Sequence, residues 1–187
     1  MFIRTERLFL RPGWPEDLDD LIEAFNDDAI QRTVAVSALP RTRDAVRAYL
    51  DRPRNPRLPH FFMYLRGAHG AKLVGGIGLG QSGDDVEIGY WIASAYRGQG
   101  YAIEALRAVV DQARALGHRR LIAKHFSDND ASARVLEAAG FHDTGRETQR
   151  YSEGRGEEAP ARLYVVDLER RGWSKAESSG KEEALSA

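Results

Sequence analysis

Trp91-Ile92-Ala93-Ser94-Ala95-Tyr96-Arg97-Gly98-Gln99-Gly100-Tyr101-Ala102 is the stretch that decides the reading of this chain. An apolar strand ends, a short loop follows, and a helix opens at the glycines. Ile103, Leu106, Val109, Val110, Ala113 and Leu116 then recur at helical spacing until Gly117 stops the helix. A helix start leaves main-chain N–H groups unpaired and carries partial positive charge, so it accepts anions. Gly98 and Gly100 lack Cβ atoms and let a diphosphate approach the main chain, and Arg97 adds a formal charge. Taken alone, Gly-x-Gly reads as a strand-to-helix turn whose glycines only serve geometry.

Upstream, Leu8 to Pro12 reads as a strand, and Pro15-Glu16 opens a helix with Leu18, Leu21, Ile22 and Phe25 on one face. A short helix over Thr42 to Leu50 follows, then a proline-broken loop from Pro53 to Pro59. His60–Arg66, Lys72–Gly80 and Val86–Ile92 read as antiparallel strands, with turns at Gly67–Gly70 and Ser82–Asp84. Downstream of the long helix come a strand at Leu121–Ala123 and a helix at Ala131–Ala139. Strands near Phe141–Tyr151 and Leu163–Leu168 follow, separated by a polar loop. The strands joined by the long helix should run parallel. The chain reads as a mixed α+β domain over 1–172, with a polar tail, 173–187, too poor in apolar residues to order itself.

Composition narrows the function. With 187 residues and 42% hydrophobic content, the chain can build one sizeable core. Its 27 basic and 28 acidic residues, net −1, lack the excess basicity of a nucleic-acid binder. The absence of cysteine excludes disulfide scaffolds, zinc ribbons and thiol nucleophiles. No apolar run approaches the ~20 residues of a membrane helix, and the charged amino end does not resemble a signal peptide. A cytoplasmic protein is expected. The histidines at 60, 69, 118, 125 and 142 show no ligand spacing, so no metal is expected. Gly78-Leu79-Gly80-Gln81-Ser82-Gly83 matches G-x-G-x-x-G literally, but a strand follows it, so it reads as a hairpin turn. No Gly-Lys-Ser/Thr triplet exists for a nucleotide-triphosphatase loop. Trp14, Trp91 and Phe61-Phe62 read as core.

Arg97-Gly98-Gln99-Gly100-Tyr101-Ala102 resembles the R/Q-x-x-G-x-G/A motif of the GNAT acetyltransferases. Thr5-Glu6-Arg7-Leu8-x-Leu10-Arg11-Pro12, Glu87–Ile92, Gly100–Leu106, Asn129-x-x-Ser132-x-Arg134-Val135-Leu136 and Gly140-Phe141 extend the likeness toward the RimJ/RimL-type branch. The resemblance implies a GNAT fold: a central, mostly antiparallel mixed sheet with flanking helices and a V-shaped splay between the fourth and fifth strands read above. It implies acetyl-CoA as co-substrate in that gap, with main chain at Trp91, Ile92 and Ala93 on pantetheine and an N–H there polarising the thioester. Arg97, Gly98, Gln99, Gly100, Tyr101 and Ala102 would hold the diphosphate. Asn129 would bind the pantetheine arm, cap the next helix, or both.

The implied reaction is direct attack of a neutral primary amine on the thioester, the amine being a protein N-terminus or a small molecule. Glu87 is the candidate base: it stands in an otherwise apolar run, and apolar surroundings make a carboxylate more basic. Its alternative is a solvated strand position. The family's usual tyrosine acid is replaced by Leu136, so Ser132 is the candidate donor to the leaving thiolate, with helix-start capping as its other reading. Tyr96 and Tyr101 are fallback donors. Glu104 reads as structural, complementing the helix dipole. The loop Ile30–Pro40 and the hairpin Tyr151–Pro160 should face the acceptor, and Glu153, Glu157 and Glu158 hint at a cationic one. A CoA-binding or sensing module without catalysis is the alternative that Leu136 favours, and exposed edge strands permit a homodimer.

Overall fold

The computed structural model describes residues 1–34, 39–67 and 71–168. Its strands are β1 (Ile3–Arg4), β2 (Leu8–Arg11), β3 (His60–Leu65), β4 (Lys72–Ser82), β5 (Asp85–Ile92), β6 (Arg120–Phe126), β7 (His142–Ser152) and β8 (Glu157–Asp167). Among the described residues these form one mixed sheet in the order β1-β2-β3-β4-β5-β6-β8-β7. Every neighbouring pair is antiparallel except β5–β6, which is parallel and connected through the long helix. The helices are α1 (Leu18–Phe25), α2 (Asp28–Gln31), α3 (Arg43–Leu50), α4 (Tyr101–Ala115) and α5 (Asp130–Ala138).

Strand alternation divides the apolar side chains between two faces. Leu8, Leu10, Phe61, Met63, Ile77, Leu79 and Ile88 pack with Leu106, Val109 and Val110 of α4 and Leu136 of α5. On the opposite face Phe62, Tyr64 and Trp91 meet Leu21 and Phe25 of α1 and Val46 of α3. Both faces of the sheet are thus covered, and the helices leave the β5–β6 seam between them.

The structure corrects several details. The two-residue β1 and the short α2 were not read from the sequence, and one 3₁₀ turn at Pro15–Asp17 precedes α1. The last strand begins at Glu157 rather than Leu163, because Ala159 and Ala161 alternate as buried residues too small to stand out in an apolar pattern. The G-x-G-x-x-G match lies within β4 as far as Ser82, and only Gly83 belongs to the turn. Trp14 is not core: it is 43% exposed, with the Arg11 guanidinium 3.9 Å from its ring centre. The tail 173–187, and parts of the loop Ile30–Pro40 and of the turn Gly67–Gly70, lie outside the described residues.

Candidate active site

β5 and β6 register through a single partner pair, Glu87 with Ile122. Beyond that pair the strands diverge, and the geometry of β5 determines what faces the opening. Ala93 N–H donates to Val74 O at 2.8 Å, which turns the amides of Trp91 and Ala93 toward β4. Because amide direction alternates along a strand, the main-chain groups of Ile88, Tyr90 and Ile92 point toward β6. Of the three residues expected to contact pantetheine through the main chain, only Ile92 therefore presents its N–H to the gap. Tyr90 adds a second N–H that the sequence reading did not name. Edge groups of this kind suit an amide-rich ligand.

At the open end, Gly98 and Gly100 adopt φ of +74° and +82°, values that a side chain would strain. Gly100 is the N-cap of α4 and has no side chain with which to bond the helix's first amides. The N–H groups of Tyr101, Ala102 and Ile103 are thereby left for an external acceptor. The Arg97 Nε donates to Ile92 O at 3.2 Å, and Gln99 Nε2 to Ala95 O at 3.1 Å, so both side chains brace the loop. Ser94 Oγ donates to Asp27 Oδ2, and that hydrogen bond holds the Asp27 carboxyl below the usual carboxylate range.

Glu104 does more than complement the helix dipole. Its carboxylate accepts from Thr5 Oγ1 at 2.6 Å, from Arg7 N at 2.8 Å and from Arg7 Nε at 2.7 Å. Arg7 Nη1 also donates to Gln99 O at 2.9 Å, and its guanidinium stands 4.6 Å from the Tyr101 ring centre. The residues before β2 thus clamp the glycine loop. Tyr96 and Tyr101 pack edge-on with ring centres 6.4 Å apart.

A cavity of about 460 Å³ passes through the seam between the two sheet faces. On the α1–α3 face, Gly76, Gly78 and Gly80 of β4 pair with Trp91, Gly89 and Glu87 of β5, and Gly78 also pairs with His60 of β3. A Cβ at Gly76 would meet the Trp91 indole and one at Gly78 the His60 ring, whereas Gly80 and Gly89 face open space. Tyr49, Phe62 and Trp91 line the walls, and Thr33, Val34 and Leu39 contribute from the expected acceptor loop. Burial, and then the charge of Arg54, push the His60 imidazole below its ordinary value.

Glu87 lines this cavity, but its surroundings are not apolar. Its Oε1 accepts from Arg150 Nη1 at 2.7 Å, and its Oε2 lies 3.3 Å from Lys124 Nζ. Both cations come from strands distant in sequence, so no pattern around Glu87 announces them. Glu153, Glu157 and Glu158 do not line the cavity; of the late hairpin's strands, Arg150 does. The hairpin tip instead closes on α2: a Cβ at Gly154 would lie 2.3 Å from Gln31 O. Arg155 grips Asp128 bidentately at 2.7 and 2.9 Å and donates to Arg32 O at 3.0 Å.

On the α5 face, Ser132, buried Leu136, Tyr90 and His125 line the other mouth. Asn129 is the N-cap of α5, its Oδ1 accepting from Ser132 N at 3.1 Å, so the capping role belongs to Asn129 and not to the Ser132 hydroxyl. Two polar groups here were not anticipated. Burial pushes the Tyr90 phenol up to about 12, and its Oη donates to Ser132 O at 3.5 Å. The His125 Nδ1 bonds Phe126 O at 2.8 Å, and its buried Nε2 has no partner among the described residues. Strand alternation places Tyr90 and His125 on the α5 face, but nothing in one sequence distinguishes them from ordinary core residues.

Comparisons with known proteins show what this chain is similar to. A family profile describing an acetyltransferase (GNAT) domain matches residues 7–142. "Probable N-acetyltransferase YjcK" of Bacillus subtilis is 34% identical over 155 residues, covering 76% of this chain and 84% of its own. Among solved structures, a GNAT-family acetyltransferase from Bacillus anthracis is 24% identical with a TM-score of 0.76, covering 91% of this chain and all of its own. Mycobacterium smegmatis RimJ, solved with CoA-disulfide, is 22% identical with a TM-score of 0.74, covering 89% and 86%.

Proposed function

Since the chain belongs to the GNAT acetyltransferase family, we propose that it transfers the acetyl group of acetyl-CoA to a primary amine bound on the α1–α3 side of the seam. The observation that carries this reading is the cavity beside the β5–β6 seam, lined by Tyr90, Ser132 and Leu136 on the α5 face and by a charged, glycine-floored pocket around Glu87 on the other. When bound, acetyl-CoA supplies an activated acyl group as a thioester.

The residues present fit such a co-substrate. The uncapped amides of Tyr101 to Ile103, with Gly98 and Gly100, form an anion cradle for the diphosphate, and Arg97 and Gln99 hold that loop in shape. The N–H groups of Tyr90 and Ile92 line the pantetheine path, and one of them is the donor toward the thioester oxygen. Trp91 and Ala93 turn their side chains to the α1–α3 face, Trp91 as a wall of the acceptor pocket, and Asn129 holds the start of α5.

Glu87 is assigned the proton-accepting role. Each of its oxygens is engaged by one cation and keeps lone-pair capacity for an incoming ammonium group. An amine must lose its proton before it can attack, and Glu87 stands at the closed end of the gap where that attack would occur. Ser132 and Tyr90, on the opposite mouth, are assigned as hydrogen-bond donors to the departing thiolate. Thiol release from acetyl-CoA, followed against an amine panel, tests the function. Amine-dependent release supports it; acetyl-CoA binding with no amine-dependent release points to the sensing alternative.

A further inference from the structure

The acceptor pocket carries more positive than negative charge. Among the described residues lining the cavity, the formal charges are the cations Arg54, Lys124 and Arg150 and the single carboxylate of Glu87. The His60 imidazole, pushed below its ordinary value, is not counted among these charges. Glu87, Lys124 and Arg150 form one cluster whose side chains are only 15%, 20% and 17% exposed, and whose sum is one net positive charge. Lys124 Nζ also donates to Ser82 Oγ at 3.2 Å, which fixes the ammonium in place without neutralising it.

The coenzyme's diphosphate does not account for this charge. Glu87 lies five residues before Ile92, roughly 17 Å along the strand from the entrance to the glycine loop. Partly buried like charge is costly unless a counter-ion completes it. We infer that the amine acceptor carries its own anionic group, a carboxylate or a phosphonate, held by Lys124 and Arg150 while its ammonium meets Glu87. The acidic hairpin, read from sequence as a hint of a cationic acceptor, lies away from this pocket. A polycation would place its further charges against Arg54, Lys124 and Arg150 and is disfavoured. An amine next to an anion fits the adjacent carboxylate and cations, and the aromatic wall of Tyr49, Phe62 and Trp91 accommodates an apolar remainder.

This inference rests on the acetyl-transfer reading, and its test separates the two. Turnover is measured on matched pairs: L-phenylalanine and its amide, L-methionine and its amide, and 2-aminoethylphosphonate and ethanolamine, with spermidine alongside. The anionic member should be preferred in kcat/KM by on the order of tenfold or more, the scale of one charge-assisted hydrogen bond. The amino-acid and phosphonate arms distinguish the two anions. Lys124→Met leaves one carboxylate facing one guanidinium and should abolish the preference, while Lys124→Arg should retain it. Binding of N-acetyl-L-phenylalanine and its amide, read from tryptophan fluorescence in the absence of coenzyme, should show the same order. Turnover of the amides or of spermidine at least as fast as the anionic amines overturns the inference, as does a preference unchanged in Lys124→Met. Turnover of nothing in the panel overturns it too. Failure to bind acetyl-CoA at all would instead overturn the acetyl-transfer reading.

Discussion

Glu104, on the first turn of α4, is hydrogen-bonded to both the main chain and the side chain of Arg7, almost a hundred residues earlier. This clamp ties the approach to β2 to the glycine loop at the start of α4. Burial pushes the Glu104 carboxyl up, but the hydrogen bonds from Thr5 and Arg7 outweigh it and hold the group below its ordinary 4.5. A carboxyl depressed in this way contributes stability above its unfolded value, and that contribution is lost as pH falls through the folded value. Glu104→Gln should therefore lower Tm by roughly 2–4 °C at neutral pH and flatten the acid limb of Tm against pH. It should also weaken acetyl-CoA binding severalfold. Calorimetric scanning and titration check both.

Arg11 and Asp17 form a bidentate pair, both bonds 2.7 Å, with side chains 8% and 6% exposed. Trp14 N also donates to Asp17, and the Arg11 guanidinium lies between the Trp14 and Tyr64 rings. Asp17→Asn strands a buried cation and should cost about 3 kcal/mol in urea unfolding. Although burial alone would raise the Asp17 carboxyl, Arg11 and the Trp14 amide hold it below its ordinary 3.8. The wild type should accordingly lose this contribution only on acidification through that depressed value, and Asp17→Asn should lack that part of the acid transition.

Gly89 faces the acceptor side of β5, and a Cβ there meets nothing within 4 Å. Gly89→Val suits a strand but occupies the pocket floor. It should raise KM for the amine on the order of tenfold and leave acetyl-CoA affinity within about twofold. Equal loss of both affinities would place the acceptor elsewhere.

Glu87→Gln should lower kcat by roughly a hundredfold while sparing acetyl-CoA affinity. Unchanged turnover across pH removes Glu87 as the base. On the other mouth, Ser132→Ala deletes a hydroxyl without touching the α5 cap, which uses the Ser132 main-chain N–H. A fall in kcat of about tenfold with unchanged Tm is expected if that hydroxyl donates to the thiolate. The Tyr90 phenol, held up to about 12 by burial, should stay protonated and add no limb to the kcat profile below pH 10.

The sheet's plan and the strand-to-helix glycine loop were legible in the sequence because they rest on local signals. Strand runs, a change to helical period at Gly98, and glycines placed where φ is positive all lie within a few residues of what they determine. The acceptor pocket was not legible in this way. Glu87 was singled out as lying in an apolar run, yet Lys124 and Arg150 reach it from β6 and β7, and only folding brings them there. The role of Glu104 was undervalued for the same reason, its partners being Thr5 and Arg7. Alanines at 159 and 161 hid the start of β8, and Trp14 was misplaced because its ring covers a buried ion pair rather than entering the core.

The most direct test is an amide-resolved NMR titration of the wild-type protein with acetyl-CoA. Saturable shifts should be largest at the amides of Gly98 to Ile103, with a second group at Tyr90 and Ile92. Shifts centred on Gly78–Gly83, or none at the start of α4 at saturating coenzyme, would contradict the assignment of the diphosphate cradle and of the gap beside it.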